Sequence, residues 1–189
     1  ELLAPYADQL PPWGILTGVR PSKRYRDLRK EYDAIGARER MHARDRVSMQ
    51  KIKKLETVYE ATSGIAVAPE DIIVYVHIPF CPSRCVFCSF TSYVADGKND
   101  PRVAAYGKQL LLEMENEVSL LRGRNIRALY IGGGTPTMLP PAFYEKLIAI
   151  LKPYFSHDPE LTIEAGRVDT FDERDLHALK DLGFTRISV

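Results

Sequence analysis

All three cysteines of the 189-residue chain fall within eight positions, in Cys81-Pro82-Ser83-Arg84-Cys85-Val86-Phe87-Cys88. Thiolates at Cys-x3-Cys-x2-Cys spacing suit an iron–sulfur cluster better than the alternatives. Structural zinc closes a tetrahedron of four ligands, usually as two separated pairs, and no second Cys/His pair follows. A disulfide would use two thiols and strand the third. A [4Fe-4S] cluster normally takes four thiolates, so three leave one iron without a protein ligand. That open iron is a place where an outside molecule can be held.

Two further stretches carry groups suited to a ligand. Gly132-Gly133-Gly134-Thr135-Pro136 follows a short apolar run, and glycines without a Cβ let the backbone approach a ligand and expose its amides and carbonyls. Glu164 ends the run Leu161-Thr162-Ile163-Glu164. A carboxylate there is costly to bury unless it is paired or lies at an open mouth, so it either meets a buried arginine or binds a ligand. Arg167 and Asp169, just beyond it, read as a loop ion pair. His77 reads as a satisfied, buried histidine. Arg84 is either a cation beside the thiolates or a solvated loop residue.

The wording Tyr75-Val76-His77-Ile78-Pro79-Phe80-Cys81, with the cysteine spacing, resembles the radical S-adenosylmethionine (SAM) superfamily and, within it, the oxygen-independent coproporphyrinogen III oxidase-like branch. The resemblance implies that Cys81, Cys85 and Cys88 hold a [4Fe-4S] cluster whose open iron chelates SAM. It implies that Gly133, Gly134, Thr135 and Glu164 contact SAM, with Phe87 beside its adenine and Tyr75 near the cluster. The radical would come from cluster-bound SAM, and no catalytic side chain is assigned. A second stretch, Ile15-Leu16-Thr17-Gly18-Val19-Arg20-Pro21-Ser22-Lys23, is similar to the segment ahead of the radical SAM domain in HemZ-type coproporphyrinogen dehydrogenases. One departure matters: the oxidases proper carry a fourth cysteine two residues after the third, where this chain has Phe90. Relatives lacking it include heme-binding chaperones.

The elements that position these groups follow from periodicity. Residues 72–78 are the most apolar run and read as a strand buried on both faces. Then strand, loop and helix repeat. A helix is expected from 101 to about 122, with Pro at its start and Val103, Tyr106, Leu110, Met114, Val118 and Leu121 on one face. A strand over 126–131, a helix over 141–154 burying Phe143, Leu147, Ile150, Leu151 and Tyr154, and a strand over 161–165 follow. A last helix is expected to be capped by Thr170 with Glu173 and ended by Gly183, before a strand over 184–189. Buried strands joined by helices give a parallel α/β sheet. The resemblance implies a partial (β/α)6 radical SAM barrel with about its first four strand–helix units, and ligands at the carboxyl ends of the strands.

Residues 1–70 form an expected helical accessory segment ahead of a radical SAM core over 71–189. Two helices are expected over 22–62, broken near 33–36, with Met41, Met49, Ile52, Leu55 and Tyr59 as a stripe in the second. Between residues 20 and 54 thirteen Lys/Arg face five Asp/Glu, read as a solvated helix surface; no interleaved aromatics support RNA stacking.

With 45% hydrophobic and 27% charged residues and a net charge of +1, nucleic acid is not an expected partner, and no run is long enough for a transmembrane helix. Clustered free cysteines imply a reducing compartment, the cytoplasm. Beginning at Glu1 and ending at Val189 within an apolar pattern, the sequence reads as a piece of a longer chain, not expected to act alone. The resemblance implies oxidative decarboxylation of coproporphyrinogen III in heme biosynthesis, with a flavodoxin- or ferredoxin-type electron donor. A heme chaperone is the rival reading, and an RNA- or lipid-modifying radical enzyme a third.

Overall fold

The computed structural model describes residues 11–65 and 67–189. They divide into two compact units, 1–67 and 68–189.

The first unit packs three helices, α1 (Pro21–Glu31), α2 (Ala34–Ala43) and α3 (Met49–Thr62). Its core is Leu16, Tyr25, Leu28, Ala37, Met41, Val47, Ile52 and Leu55. Pro21 opens α1, and the Asp33 and Ser48 side chains cap α2 and α3 by accepting from Gly36 N and Lys51 N. The second expected helix is therefore two. The chain turns at Arg46, a non-glycine residue at φ 59°, so that Val47 is buried and Met49 lies at the surface. Residues 41, 49 and 52 stay near helical phase across this break, which hid the Ser48 cap. Much of the positive charge is used inside the unit. Arg24 pairs with buried Asp45 at 3.0 Å and Arg38 with Glu56 at 2.9 Å. Arg40 covers the Tyr32 ring at 4.0 Å and Lys51 the Trp13 ring at 5.1 Å.

The second unit is a parallel sheet of β1 (Asp71–Ile78), β4 (Asn125–Gly133), β5 (Phe155–Glu164) and β6 (Arg186–Ser188), in that order. Between them lie a short parallel pair, β2 (Phe80–Cys81) and β3 (Tyr93–Val94), and helices α4 (Pro101–Glu117), α5 (Pro141–Leu151) and α6 (Glu173–Asp181). Each new strand adds beside the last without reversal. That order builds a barrel wall, not a doubly wound sheet with a switch point. The α/β partial barrel inferred from the sequence is what is found.

Val76, Ile78, Leu129, Ile131, Leu161 and Ile163 join Phe143, Leu147 and Leu151 of α5 in one core. The other face of β1 is open: Ile73 is 73% and Tyr75 55% exposed. Burial of β1 on both faces is thus corrected, because four strands form only part of a wall and, among the described residues, none lies opposite. Three helix ends also differ. α4 and α5 each tighten into a 3-10 turn, over Val118–Leu121 and Lys152–Tyr154. On α5 it is Ile148, not Ile150, that is buried. The cap of α6 is Asp172, reciprocally bonded with Asp175, because the Thr170 hydroxyl is already donated to the Arg167 carbonyl at 2.7 Å. Gly183 ends α6 at φ 93°, as expected.

Candidate functional site

Every chemistry-bearing stretch singled out in the sequence lies at or just beyond the carboxyl end of a strand. The cysteine loop leaves β1 at Ile78 and is pinched at its base by β2 and β3, with Tyr93 N donating to Pro79 O at 2.7 Å and Ala95 N to Cys81 O at 2.9 Å. Phe80 anchors this base edge-on to Tyr106, 5.6 Å between ring centres, and the Tyr106 hydroxyl donates to His77 O at 2.7 Å. Asp100, 6% exposed, closes the far end of the loop by accepting from Asp96 N and Arg102 N. Arg102 also reaches its carboxylate, at 2.6 Å, and Val94 O, at 3.0 Å. The Arg102 guanidinium first, then these amides, hold the Asp100 carboxyl well below the usual range.

Within that frame the three thiols are free and partly exposed, and Cys88 N donates to Cys85 O at 3.1 Å. Phe87 stands almost entirely in solvent at 91% exposure, beside Val86 and Phe90 on the same apolar loop. It is not packed against the other residues expected to form the site.

The glycine turn continues β4 across the first cysteine. Gly134 N donates to Ile78 O at 2.8 Å, and a Cβ on Gly134 would lie 2.9 Å from Cys81 Sγ. Only a glycine lets the backbone cross there without moving that thiol. Thr135 is buried and points its Oγ1 at Cys81 Sγ, 3.4 Å away. The turn is fixed from below by Tyr144, whose buried hydroxyl donates to Pro136 O at 2.6 Å and whose pKa is raised by that burial.

Among the described contacts Glu164 meets no arginine. Its Oε1 accepts from the Tyr130 hydroxyl at 2.6 Å and its Oε2 from Gly133 N at 3.1 Å. Gly133 can present that amide because it sits at φ 118°. The bond to Glu164 first, then burial, raises the Tyr130 pKa, so the phenol stays a donor. Tyr75 stacks on Tyr130 with ring centres 5.9 Å apart, and its hydroxyl lies 3.4 Å from His77 Nδ1. His77 is half-buried.

Two residues gain weight from the geometry. Tyr130 carries no motif of its own in the sequence, but its alternation with Gly132 puts it on the open face beside Glu164. Arg167 forms the expected ion pair with Asp169, at 3.0 Å, and also extends Nη1 to Ser83 Oγ at 2.9 Å and to Cys85 Sγ at 3.9 Å.

Among the described residues no three His, Cys, Asp or Glu side chains converge on one metal ion. A mononuclear zinc site would need such convergence. A cubane cluster distributes its thiolates over separate irons and does not. Thr135 Oγ1 on Cys81 Sγ and Arg167 Nη1 on Cys85 Sγ are hydrogen-bond donors of the kind that surround the sulfurs of an iron–sulfur cluster.

The family model "Radical SAM superfamily" matches residues 75–189, more than half of the chain. The chain belongs to the radical SAM superfamily. Members bind a [4Fe-4S] cluster and SAM, and these are its cofactors. This radical SAM chain is 30% identical over 191 residues to the oxygen-independent coproporphyrinogen-III oxidase-like protein HemZ of Bacillus subtilis, covering 94% of the chain and 37% of that protein. It is 34% identical over 120 residues to the heme chaperone HemW of a Buchnera aphidicola strain, covering 62% of the chain and 31% of the chaperone. The solved structure of coproporphyrinogen III oxidase (HemN) from Escherichia coli, a radical SAM enzyme, superposes with a TM-score of 0.56 at 32% identity, over 70% of this chain and 30% of that one. The chain thus spans about a third of the length of these relatives. No helix among the described residues is long and apolar enough to cross a membrane.

Proposed function

We propose that this chain supplies the cofactor end of a cytoplasmic radical SAM oxidoreductase that oxidatively decarboxylates the propionates of coproporphyrinogen III to give protoporphyrinogen IX. The observation that carries this reading is the match to the HemZ protein along 94% of the chain, which takes in the first helical unit as well as the barrel wall. Residues 1–70 are its accessory segment and 71–189 the start of its catalytic core.

Cys81, Cys85 and Cys88 hold the cluster, whose fourth iron is left for SAM. With a low-potential electron donor of flavodoxin or ferredoxin type, bound cluster and SAM would supply a 5′-deoxyadenosyl radical for hydrogen abstraction from a propionate side chain, whose carboxylate would leave as CO2 while the vinyl group forms and the remaining electron goes to a one-electron acceptor. The protein's task is to orient and to exclude water. Glu164, held by Tyr130 and Gly133, offers its carboxylate to the SAM amino group. The carbonyls and amides of Gly133 and Gly134 lie beside it, Thr135 fixes Cys81, and Tyr75 lines the approach. Phe87 closes over the adenine only by moving in from solvent.

The rival is a heme chaperone that keeps the same cofactors. Phe90 favours it, standing where the oxidases proper have a cysteine, as does the match to HemW. Anaerobic turnover separates them. With SAM, a low-potential reductant and coproporphyrinogen III, protoporphyrinogen and 5′-deoxyadenosine are expected to accumulate together over several turnovers. Tight heme binding with no porphyrin product refutes the enzyme reading.

A further inference from the structure

Arg167 stands on a fixed base. Its carbonyl accepts from Thr170 N at 3.0 Å and from the Thr170 hydroxyl at 2.7 Å. With its own proton given to Arg167, the Thr170 hydroxyl accepts a hydrogen bond from the Thr137 hydroxyl, in the turn that follows the glycines, and both threonines are 3% exposed. The backbone at Arg167 is thereby tied to the glycine turn as well as to β5. From this base the guanidinium has every edge occupied. Nε and Nη2 lie on the two oxygens of Asp169 at 3.2 and 3.0 Å, while Nη1 reaches across to the cysteine loop. There it meets Ser83 Oγ at 2.9 Å, Ser83 O at 3.5 Å and Cys85 Sγ at 3.9 Å.

The cysteine loop is bound at both ends, by the β2–β3 pair and by Asp100, and its middle, at Ser83 and Cys85, is met by Arg167 from the turn after β5. A planar fork can hold Asp169 along one edge and still direct a second N–H at Ser83, which a lysine ammonium does not reproduce. We infer that Arg167 is a positioning residue that fixes the middle of the cysteine loop and places a cation beside the Cys85 sulfur, setting how firmly the cluster is held and how readily it is reduced. The inference rests on the reading that Cys81, Cys85 and Cys88 bind the cluster.

The sign follows from charge. Reduction makes a thiolate-ligated cluster more negative, so a neighbouring cation favours the reduced state and raises the potential. The side chain is 26% exposed, which moderates the field without removing it.

The test uses reconstituted protein carrying R167Q, R167K and, as a control on the site itself, C85A. Two readouts apply: the rate of iron loss to a chelator, and the midpoint potential from a dye-mediated titration followed by electron paramagnetic resonance. R167Q is expected to lose iron about tenfold faster and to shift the reduction equilibrium about tenfold toward the oxidised cluster, which is about 59 mV more negative for one electron. R167K is expected to lose iron faster while keeping the potential within about a third of that shift. A merely structural role would move iron loss but not separate the two variants in potential. If R167Q does not fold, R167K decides on iron loss, and a rate equal to the parent's overturns the proposal. If C85A loses its cluster while R167Q matches the parent in both readouts, the Arg167 proposal fails and the cluster site stands. If C85A keeps an intact cluster, the site reading itself fails.

Discussion

Replacing single glycines by alanine around the rim separates two costs that coincide at the candidate SAM site. Gly166 meets nothing within 4 Å of a built Cβ and has no left-handed backbone, so G166A is expected to be neutral within about 0.5 kcal/mol. Gly97 has open space but φ 69°, so G97A carries backbone strain alone, about 1–2 kcal/mol. Gly134 has ordinary backbone but a Cβ there would lie 2.8 Å from Phe80 O and 2.9 Å from Cys81 Sγ, an overpacking cost of about 1–3 kcal/mol. Gly133 combines both: φ 118°, with a Cβ 2.6 Å from His77 Nδ1 and 2.8 Å from Ile78 O on the neighbouring strand. Relief requires either rotating Gly133, which breaks its amide's bond to Glu164, or moving the end of β1 and with it Cys81. G133A is therefore expected to cost about 3–4 kcal/mol, a fall in melting temperature of roughly 6–16 °C, with G97A and G134A between it and G166A. Thermal unfolding by near-ultraviolet circular dichroism reads the series. Equilibrium dialysis with SAM should show G133A and G134A weakened and G97A unchanged. A G133A protein that melts within about 2 °C of the parent and binds SAM normally refutes the packing described here.

Y130F removes the donor to Glu164 Oε1 while leaving the ring on Tyr75, and a hydrogen bond to a charged group contributes about 1.5–3 kcal/mol. SAM affinity is expected to fall at least about tenfold with little change in melting temperature; unchanged affinity would mean that Glu164 needs no such support. On the acid side, Asp100, Asp169 and Asp172 all have folded pKa values depressed below their unfolded ones, by Arg102, by Arg167 and by the Asp175 amide respectively. Their contribution is present above about pH 3.9 and is lost as pH falls through the folded values, so the urea midpoint should drop below about pH 4. D100N should flatten that drop, and an unaltered slope would contradict the role given to the Asp100 bonds.

The sequence was most legible where chemistry and chain geometry coincide. Cysteine spacing, the glycine turn after an apolar run and a carboxylate at a strand end all declare themselves locally, and periodicity located the strands and helices of the barrel wall. What was hidden depended on long-range competition for hydrogen bonds. Thr170 reads as a helix cap until its hydroxyl is seen committed to Arg167, and Asp172 then takes the role. Arg167 and Ser83 are 84 positions apart, so no local pattern could pair them. The break at Arg46 escaped because the apolar residues on either side keep nearly the same phase. The open face of β1 could not be told from a buried one, since Ile73 and Tyr75 are as apolar as a closed barrel would require.

The central claim is that Cys81, Cys85 and Cys88 hold a [4Fe-4S] cluster with one iron left for SAM. The direct measurement is electron paramagnetic resonance of the anaerobically reconstituted, dithionite-reduced protein with and without SAM, beside its iron and sulfide content. About four irons and four sulfides per chain are expected, with a signal whose g-values shift when SAM is added and which each single Cys→Ser variant abolishes. A cluster signal that is indifferent to SAM, or that survives in any of the three variants, would contradict the account.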